Sequence, residues 1–447
     1  MTNKPREIAL MVLLEINAQK AYSNIKLNES LSRDMDTRDE NLVREIVYGI
    51  IENRIYLDYI ISNASKIKLK KIHSIILEIL RIGIYQILYM DRIPNSAAVN
   101  ESVKLAKKYG HKGTIGYVNG VLRAISRDPD KYTYIDDSNK IDYISIKYSH
   151  PKWMVARWIG EYGFEFTEAL CKANNETPSL NIRVNTLKTS KNDLISSLHN
   201  KGINLKEALY ARDCLIVDQA QNITDLDEFR DGLFTIQDES SMLVAQIMNP
   251  QKGSNVLDVC SAPGGKSTHM AQIMDNKGLI ISRDIYEHKI HLIDENARRL
   301  GIDIIKAENM DALEKDENLI GKMDYILLDA PCSGLGLIRR KPEIKWNRSE
   351  DDIATLSKLQ YDIIMNVKDY LRVGGVLVYS TCTIEKDENI NLIKRFIEEN
   401  PNYSLTNIED NFDYKAKLDT LQEGYIQLFP HIHKTDGFFI AKMFRER

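Results

Sequence analysis

Short apolar runs recur along the carboxyl-terminal half of the chain: NVLDVC, LIISRD, IDIIKA, YILLDA, GVLVYS and GFFIAKM, with helical stretches between them. Continuous runs of this length read as strands buried on both faces, since a strand with one wet face would alternate apolar with polar residues. Strands separated by helices at these intervals imply an α/β Rossmann-like domain over residues 233–447, with a doubly wound, mostly parallel sheet. Ligands of such sheets bind beyond the carboxyl ends of the strands, so the residues that follow each run carry the functional information.

The rest of the chain has a different character. Residues 1–140 read as an all-α bundle. LVREIVYGII places Val43, Ile46, Val47, Ile50 and Ile51 on one helical face, and HSIILEILRIGIYQILYM repeats the pattern through Ile76, Ile79, Leu80 and Gly83. Pro5 and Pro94 suit helix starts, Gly110 and Gly113 suit a helix end, and the polar stretch 127–140 reads as a linker. Residues 141–232 read as a small α/β domain. It opens on a helix (HPKWMVARWIGEYG), continues through a strand in which Leu180, Ile182 and Val184 alternate with polar residues, and adds a helix near 191–201 and the run CLIVD.

No run of about 18 uncharged apolar residues occurs, and the amino terminus carries charges through an amphipathic pattern, so a cytoplasmic protein without a membrane span is expected. The five cysteines (171, 214, 260, 332, 382) form no CxxC pair, which argues for free thiols and against a zinc site or any other metal. A net charge of −4 gives no global sign of a polyanionic partner, but residues 66–127 hold 12 Lys and Arg against 3 Asp and Glu. A concentrated basic face is the footprint of a phosphate-backbone binder, and equally of a solvated lysine-rich helix. With no heptad pattern or long apolar patch, a monomer is expected.

The first strand leads into NVLDVCSAPGGKSTHMA. Gly264 and Gly265 permit close backbone approach to a ligand, and the helix start beyond them offers unpaired N–H groups. Gly265, Lys266 and Ser267 match the end of a triphosphate-binding loop, but Cys260 stands where its first glycine is required, which weakens that reading considerably. The second strand ends at Asp284, twenty residues after Gly264, where a carboxylate accepts from ribose hydroxyls. A nucleoside-containing cofactor is the expected ligand. Asp311, after the third strand, suits the base end of the same cofactor or a helix cap.

The fourth strand ends in Asp329, Pro331 and Cys332, and the fifth in Ser380, Thr381 and Cys382. Residues just past neighbouring strand ends converge, so two of the five cysteines should share one cleft with Asp329. One reaction needs this set. Carbon 5 of a pyrimidine becomes nucleophilic once a thiolate has added to carbon 6, after which it can take an electrophilic methyl group. A carboxyl group near ring nitrogen 3 stabilises the developing charge, and a base removes the carbon 5 proton so that the thiol departs. The residues alone leave open which cysteine attacks.

DVCSAPGGKS, DAPCSG, RRKPEIKW (339–346), STCTIEKDEN and the terminal DGFFIAKM together resemble the Sun/Fmu/NOP family of RNA 5-methylcytosine methyltransferases. The amino-terminal helical region is similar to the RNA-binding antitermination protein NusB. The resemblance implies S-adenosylmethionine as cofactor, held by Cys260, Ser261, Ala262, Pro263, Gly264, Gly265 and Lys266 with Asp284, Asp311 and Asp329. It implies Cys382 as nucleophile and Cys332 as the residue assisting product release. It also implies 16S ribosomal RNA as substrate. Arg339, Arg340, Lys341 and Trp346 suit gripping phosphate and stacking a base, and equally form a solvated basic loop; the first is the expectation here. Ser261 and Arg283 depart from the family's usual residues without removing a functional group. Two alternatives remain at this level: a transfer RNA methyltransferase with the same chemistry, and a non-catalytic RNA-binding assembly factor on an inherited methyltransferase body.

Overall fold

The computed structural model describes residues 4–19, 23–31, 35–218, 222–413 and 418–447. They gather into two compact units, one made of residues 1–176 with 338–349, the other of 177–337 with 350–447. Residues 1–3 and 20 of the expected amino-terminal helix lie outside the described residues.

The first unit is helical. Its principal helices are Lys4–Gln19, Thr37–Glu52, Arg54–Ala64, Ser74–Tyr89, Asn95–Tyr109 and Lys112–Arg127. The apolar faces read from the sequence meet in a single core that includes Val43, Ile46, Val47, Ile50, Ile76, Ile79 and Leu80. Asp36 caps the helix Thr37–Glu52 through the Arg38 N–H, and Gly110 ends the helix Asn95–Tyr109. Gly113 does not share that role. It lies in the first turn of Lys112–Arg127, which His111 and Thr114 start with reciprocal side-chain caps.

The polar stretch 127–140 is more than a connector. It carries a short helix, Asp130–Thr133, and the Tyr59 hydroxyl donates to the Tyr134 carbonyl at 2.6 Å while Asn63 Nδ2 donates to the Tyr132 carbonyl at 3.0 Å. The helices Lys140–Lys147, Lys152–Tyr162 and Phe164–Ala173 belong to this unit too. So does the segment Ile338–Ser349, which leaves the second unit after Leu337 and returns at Glu350.

The second unit holds two sheets. The smaller contains β1 (Leu180–Val184), β2 (Asn204–Glu207), β3 (Cys214–Asp218) and β4 (Phe234–Ile236), antiparallel in the order β2-β3-β1-β4. The larger contains β5 (Asn255–Asp258), β6 (Leu279–Asp284), β7 (Ile305–Asn309), β8 (Met323–Asp329), β9 (Leu371–Thr381), β10 (Tyr403–Leu405), β11 (Tyr425–Leu428) and β12 (Phe438–Arg445). Its order is β10-β12-β9-β8-β5-β6-β7, with β11 also on β12. Strands β5 to β9 run parallel, while β12, formed by GFFIAKM, pairs antiparallel with β9.

Both faces of this sheet are buried, as the apolar runs require. Val256, Ile280, Leu327 and Val378 pack beneath the helices Glu239–Met248 and Gly265–Ile273, whereas Leu257, Ile281, Ile326 and Leu377 pack beneath Glu350–Val367 and Ile390–Glu399. The strand order reverses between β5 and β8, the place beyond whose carboxyl ends sheets of this kind bind their ligands.

Candidate active site

The loop after β5 is folded against the end of β6. Ser261 donates to the Arg283 carbonyl through its N–H at 2.8 Å and its hydroxyl at 3.0 Å, and the Ala262 N–H reaches Asp284 Oδ2 at 3.2 Å. Gly264 closes the turn at φ +94°, a left-handed conformation, and a Cβ there would lie 3.2 Å from the Ile293 backbone. The helix Gly265–Ile273 starts immediately after it, and Pro263 is exposed at the turn.

Asp284 also accepts the Tyr286 N–H through Oδ1 at 3.0 Å. Each carboxylate oxygen thus uses one acceptor site on backbone and keeps capacity for a ligand hydroxyl. Arg283 turns to the neighbouring strand, with Nε donating to Glu308 at 3.0 Å and the guanidinium reaching Asp316 at 2.6 Å. Asp311 accepts the Leu313 N–H at 2.9 Å in a turn that no helix follows, since the next helical element starts at Glu317. Beneath the loop, Asp258 accepts from Ser267 at 2.5 Å and has a second, buried oxygen without a protein partner. Burial pushes the Asp258 carboxyl up to about 7 against that hydrogen bond, and the charges of Asp329 and Asp284 add to the rise.

Register brings the two cysteine strands level. Asp329 of β8 lies opposite Ser380 of β9, so the residues that follow emerge together. Cys332 Sγ and Cys382 Sγ are 3.2 Å apart, with no disulfide between them. The hydrogen bond to Cys382, together with burial, holds the Cys332 thiol well above its ordinary range. Beside the pair, Asp329 is clamped by Lys266 Nζ at 2.6 Å and by the Ser380 hydroxyl at 2.7 Å. Burial pulls the Lys266 ammonium down, but Asp329 and Cys382 carry it above its usual range. Lys266 therefore joins the loop after β5 to the end of β8. Cys171 and Cys214 are buried elsewhere, and burial drives both thiols up.

Sequence reasoning assigned nothing to the buried polar belt behind the two cysteine loops. Glu388 accepts the Ser333 N–H and Gln360 Nε2, both at 2.8 Å, and Gln360 also donates to the Pro331 carbonyl. The Ser333 and Thr383 hydroxyls meet at 2.7 Å, while Asn389 accepts from Thr381 and donates to the Thr383 carbonyl. The signal was present in IEKDEN, where acidic and amide residues follow a strand end; Glu385, Glu388 and Asn389 are fully buried there, while Asp387 is exposed. Arg183 was missed as well. Its guanidinium leaves β1 to donate to the Gly265 carbonyl at 2.7 Å and to Thr268 at 2.9 Å, so the small sheet steadies the cofactor-loop helix.

Arg339, Arg340 and Lys341 are half-buried in the segment that joins the helical unit. Trp346 does not stand free on a basic loop. Its indole N–H donates to the Ile51 carbonyl at 2.9 Å and its ring packs on the helical core. Lys345 is buried beside it, donating to the Glu52 carbonyl at 2.8 Å, and burial brings its ammonium down to about 8. Among the described residues, no helix is long and apolar enough to cross a membrane, and no group of three or more His, Cys, Asp and Glu is placed to hold a metal.

Three family models match the chain: the NusB family over residues 3–127, an RsmF/B-like ferredoxin-like domain over 150–224, and the 16S rRNA methyltransferase RsmB/F over 245–444. The chain is similar to the probable ribosomal RNA small subunit methyltransferase B of Bacillus subtilis, with 39% identity over 98% of each chain, and to that of Synechocystis, with 34% identity over 98% of each. Among solved structures, PH0851 aligns over 99% of both chains with a TM-score of 0.82 and 25% identity. NSun6 from Pyrococcus horikoshii, solved with SFG, aligns over 66% of this chain and 98% of its own, with a TM-score of 0.60 and 25% identity.

Proposed function

The chain belongs to the RsmB/F family of 16S rRNA methyltransferases, which are S-adenosylmethionine-dependent, and from that premise we propose that it methylates carbon 5 of one cytosine in 16S rRNA, with the position-967 type of specificity, through a covalent adduct of Cys382. The observation that carries this reading is the pair of sulfurs 3.2 Å apart beside the Lys266–Asp329 ion pair.

The crevice suits the cofactor. A glycine turn, a helix start and a strand-end carboxylate with spare acceptor capacity converge, and these are the groups that an amino acid joined to a nucleoside requires. Cys260 to Lys266 would hold it with Asp284, Asp311 and Asp329, and it supplies an electrophilic methyl group when bound. Cys382, as thiolate, adds to carbon 6 of the cytosine, forming a carbon–sulfur bond and making carbon 5 the nucleophile. Asp329, fixed by Lys266 and Ser380, faces ring nitrogen 3, and its carboxyl together with the Lys266 ammonium stabilises the negative charge that develops there. After methyl transfer a base takes the carbon 5 proton, the C–H electron pair re-forms the carbon 5–carbon 6 double bond, and the carbon 6–sulfur bond breaks to return Cys382 as thiolate; Cys332 assists this release from its place beside Cys382. Arg339, Arg340 and Lys341, with the exposed lysines 66, 68, 70, 71, 107 and 112 of the helical unit, contribute charge for the RNA backbone. The protein is proposed to act in the cytoplasm as a monomer without a metal.

The test incubates wild type, Cys382→Ala and Cys332→Ala with S-adenosylmethionine and unmodified 16S rRNA. Denaturing gels read covalent protein–RNA adducts and methylcytosine mapping reads the product. Cys332→Ala should accumulate adduct, and Cys382→Ala should give neither adduct nor product. Adduct with Cys382→Ala alone would exchange the two roles, and methylation of transfer RNA in place of 16S rRNA would overturn the substrate.

A further inference from the structure

The two cysteines of the crevice are held by different means. Cys382 follows directly on β9, whose ladder with β8 sets its direction, whereas Cys332 lies three residues past the end of β8 and has no ladder around it. Side chains take over that task. The Pro331 carbonyl, in the peptide group before Cys332, accepts from Gln360 Nε2 at 2.9 Å, and the Ser333 N–H, in the peptide group after it, donates to Glu388 Oε2 at 2.8 Å. Gln360 Nε2 also donates to Glu388 Oε2 at 2.8 Å, which closes a bracket around the cysteine. Gln360 comes from the helix Glu350–Val367 and Glu388 from the turn after β9, and both are completely buried. The Tyr379 hydroxyl fixes Glu388 in turn, donating to its carbonyl at 2.7 Å.

A residue has two soft backbone dihedrals, and fixing the peptide plane on either side of it sets both. The sulfur of Cys332 then has one torsion left, with three staggered positions, and the one it occupies lies 3.2 Å from Cys382 Sγ. That distance matters in one direction of the chemistry. When the carbon 6–sulfur bond breaks, its electron pair goes to Cys382 Sγ, and an S–H donor on Cys332 stabilises the charge that develops there. During attack the same hydrogen bond stabilises the thiolate before it reacts, so losing it does not slow adduct formation.

We propose that Glu388, acting with Gln360 on the two peptide groups around Cys332, is a positioning residue for release of the methylated product; this rests on the reading of Cys382 as nucleophile and Cys332 as the releasing thiol. Glu388 touches no reacting atom. It works by keeping one thiol in line with the other.

The first measurement needs no RNA. Full-length wild type, Glu388→Leu, Glu388→Gln and Gln360→Leu are treated with dibromobimane, which turns fluorescent on alkylating two neighbouring thiols, and peptide mapping assigns the bridge to Cys332 and Cys382. Bridging should slow about tenfold in Glu388→Leu and stay within about twofold of wild type in Glu388→Gln, whose amide oxygen keeps both acceptor bonds. If Glu388→Leu melts early, Gln360→Leu decides and should show the same slowing. Unchanged bridging in Gln360→Leu, or a Glu388→Gln as slow as Glu388→Leu, overturns the bracket. The second measurement follows the protein–RNA adduct with S-adenosylmethionine and unmodified 16S rRNA. In Glu388→Leu the adduct should form at the wild-type rate but decay about tenfold more slowly. Adding Glu388→Leu to Cys332→Ala should slow decay no further, because Glu388 acts only through that thiol. Formation and decay slowed together, or additive slowing in the double variant, overturns the release role. Wild type that bridges its thiols yet gives neither adduct nor methylcytosine removes the enzymatic reading and the release role with it, whereas turnover by wild type with unsplit rates in Glu388→Leu removes the release role alone.

Discussion

At the scale of single residues, the crevice is built from pairs whose partners come from distant parts of the chain. Lys266 sits in a loop that resembles a phosphate-binding sequence, yet it is committed to Asp329, 63 residues away. Lys266→Met leaves that carboxylate with one hydrogen-bond donor from Ser380 and no counter-charge. Methyl transfer should fall about 100-fold, by analogy with the loss of one donor at a developing charge. Single-turnover kinetics at saturating cofactor would show this, and unchanged turnover would dismiss the clamp. His269 lies beneath the same helix, 3.4 Å from Asp213. Burial and the nearby Arg183 charge lower its imidazole to about 4. Because the folded value lies below the ordinary 6.5, the folded state resists protonation. The resulting stability is complete above pH 6.5 and is lost as pH falls toward 4, by about 3 kcal/mol in all. Urea unfolding across that window should be steeper in wild type than in His269→Gln.

At the scale of elements, the turns that carry the cysteines are held by close backbone approach. Gly336 donates to the Cys382 carbonyl at 3.0 Å and accepts the Gly437 N–H at 2.9 Å, and a Cβ on Gly336 would lie 1.9 Å from the Gly437 oxygen. Gly336→Ala must therefore push these loops apart, at about 1–3 kcal/mol of stability. Methyl transfer should drop further than stability, since Cys382 moves with its carbonyl, and chemical denaturation alongside turnover would show the split. The strands themselves were legible, because runs such as YILLDA and GVLVYS have no alternation and must be covered on both faces. The strand Leu180–Val184 was legible only in part. Its polar positions Asn181 and Arg183 suggested a wet face, but both are buried, since β1 is central in its sheet and Arg183 reaches the cofactor-loop helix. Gly113 and the stretch 127–140 misled for a similar reason, because caps and tertiary hydrogen bonds override composition there.

For the whole molecule, the segment Ile338–Ser349 is the least expected feature. RRKPEIKW reads as a solvated basic loop, but Glu343 and Lys345 are buried and Trp346 is docked on the helical core. Trp346→Ala should cost the helical unit about 2 kcal/mol, less than a fully buried aromatic because the ring is half exposed. Hydrogen exchange should then show protection lost by more than tenfold along Thr37–Glu52, with β5 to β9 unchanged. Equal loss in both units would show instead that they unfold together.

The sequence by itself determined the doubly wound sheet, the helical bundle, the positions of the loops and the convergence of Cys332, Cys382 and Asp329, because hydrophobic period and strand order are local or additive properties of the chain. Tertiary structure alone decided that Lys266 clamps Asp329, that Glu388 and Asn389 brace the cysteine loops and that Arg283 turns away from the crevice. Those outcomes depend on which buried polar atoms find partners across tens to hundreds of residues. A hydrogen bond in a low-dielectric interior is specified by geometry, and residue type and spacing do not encode it.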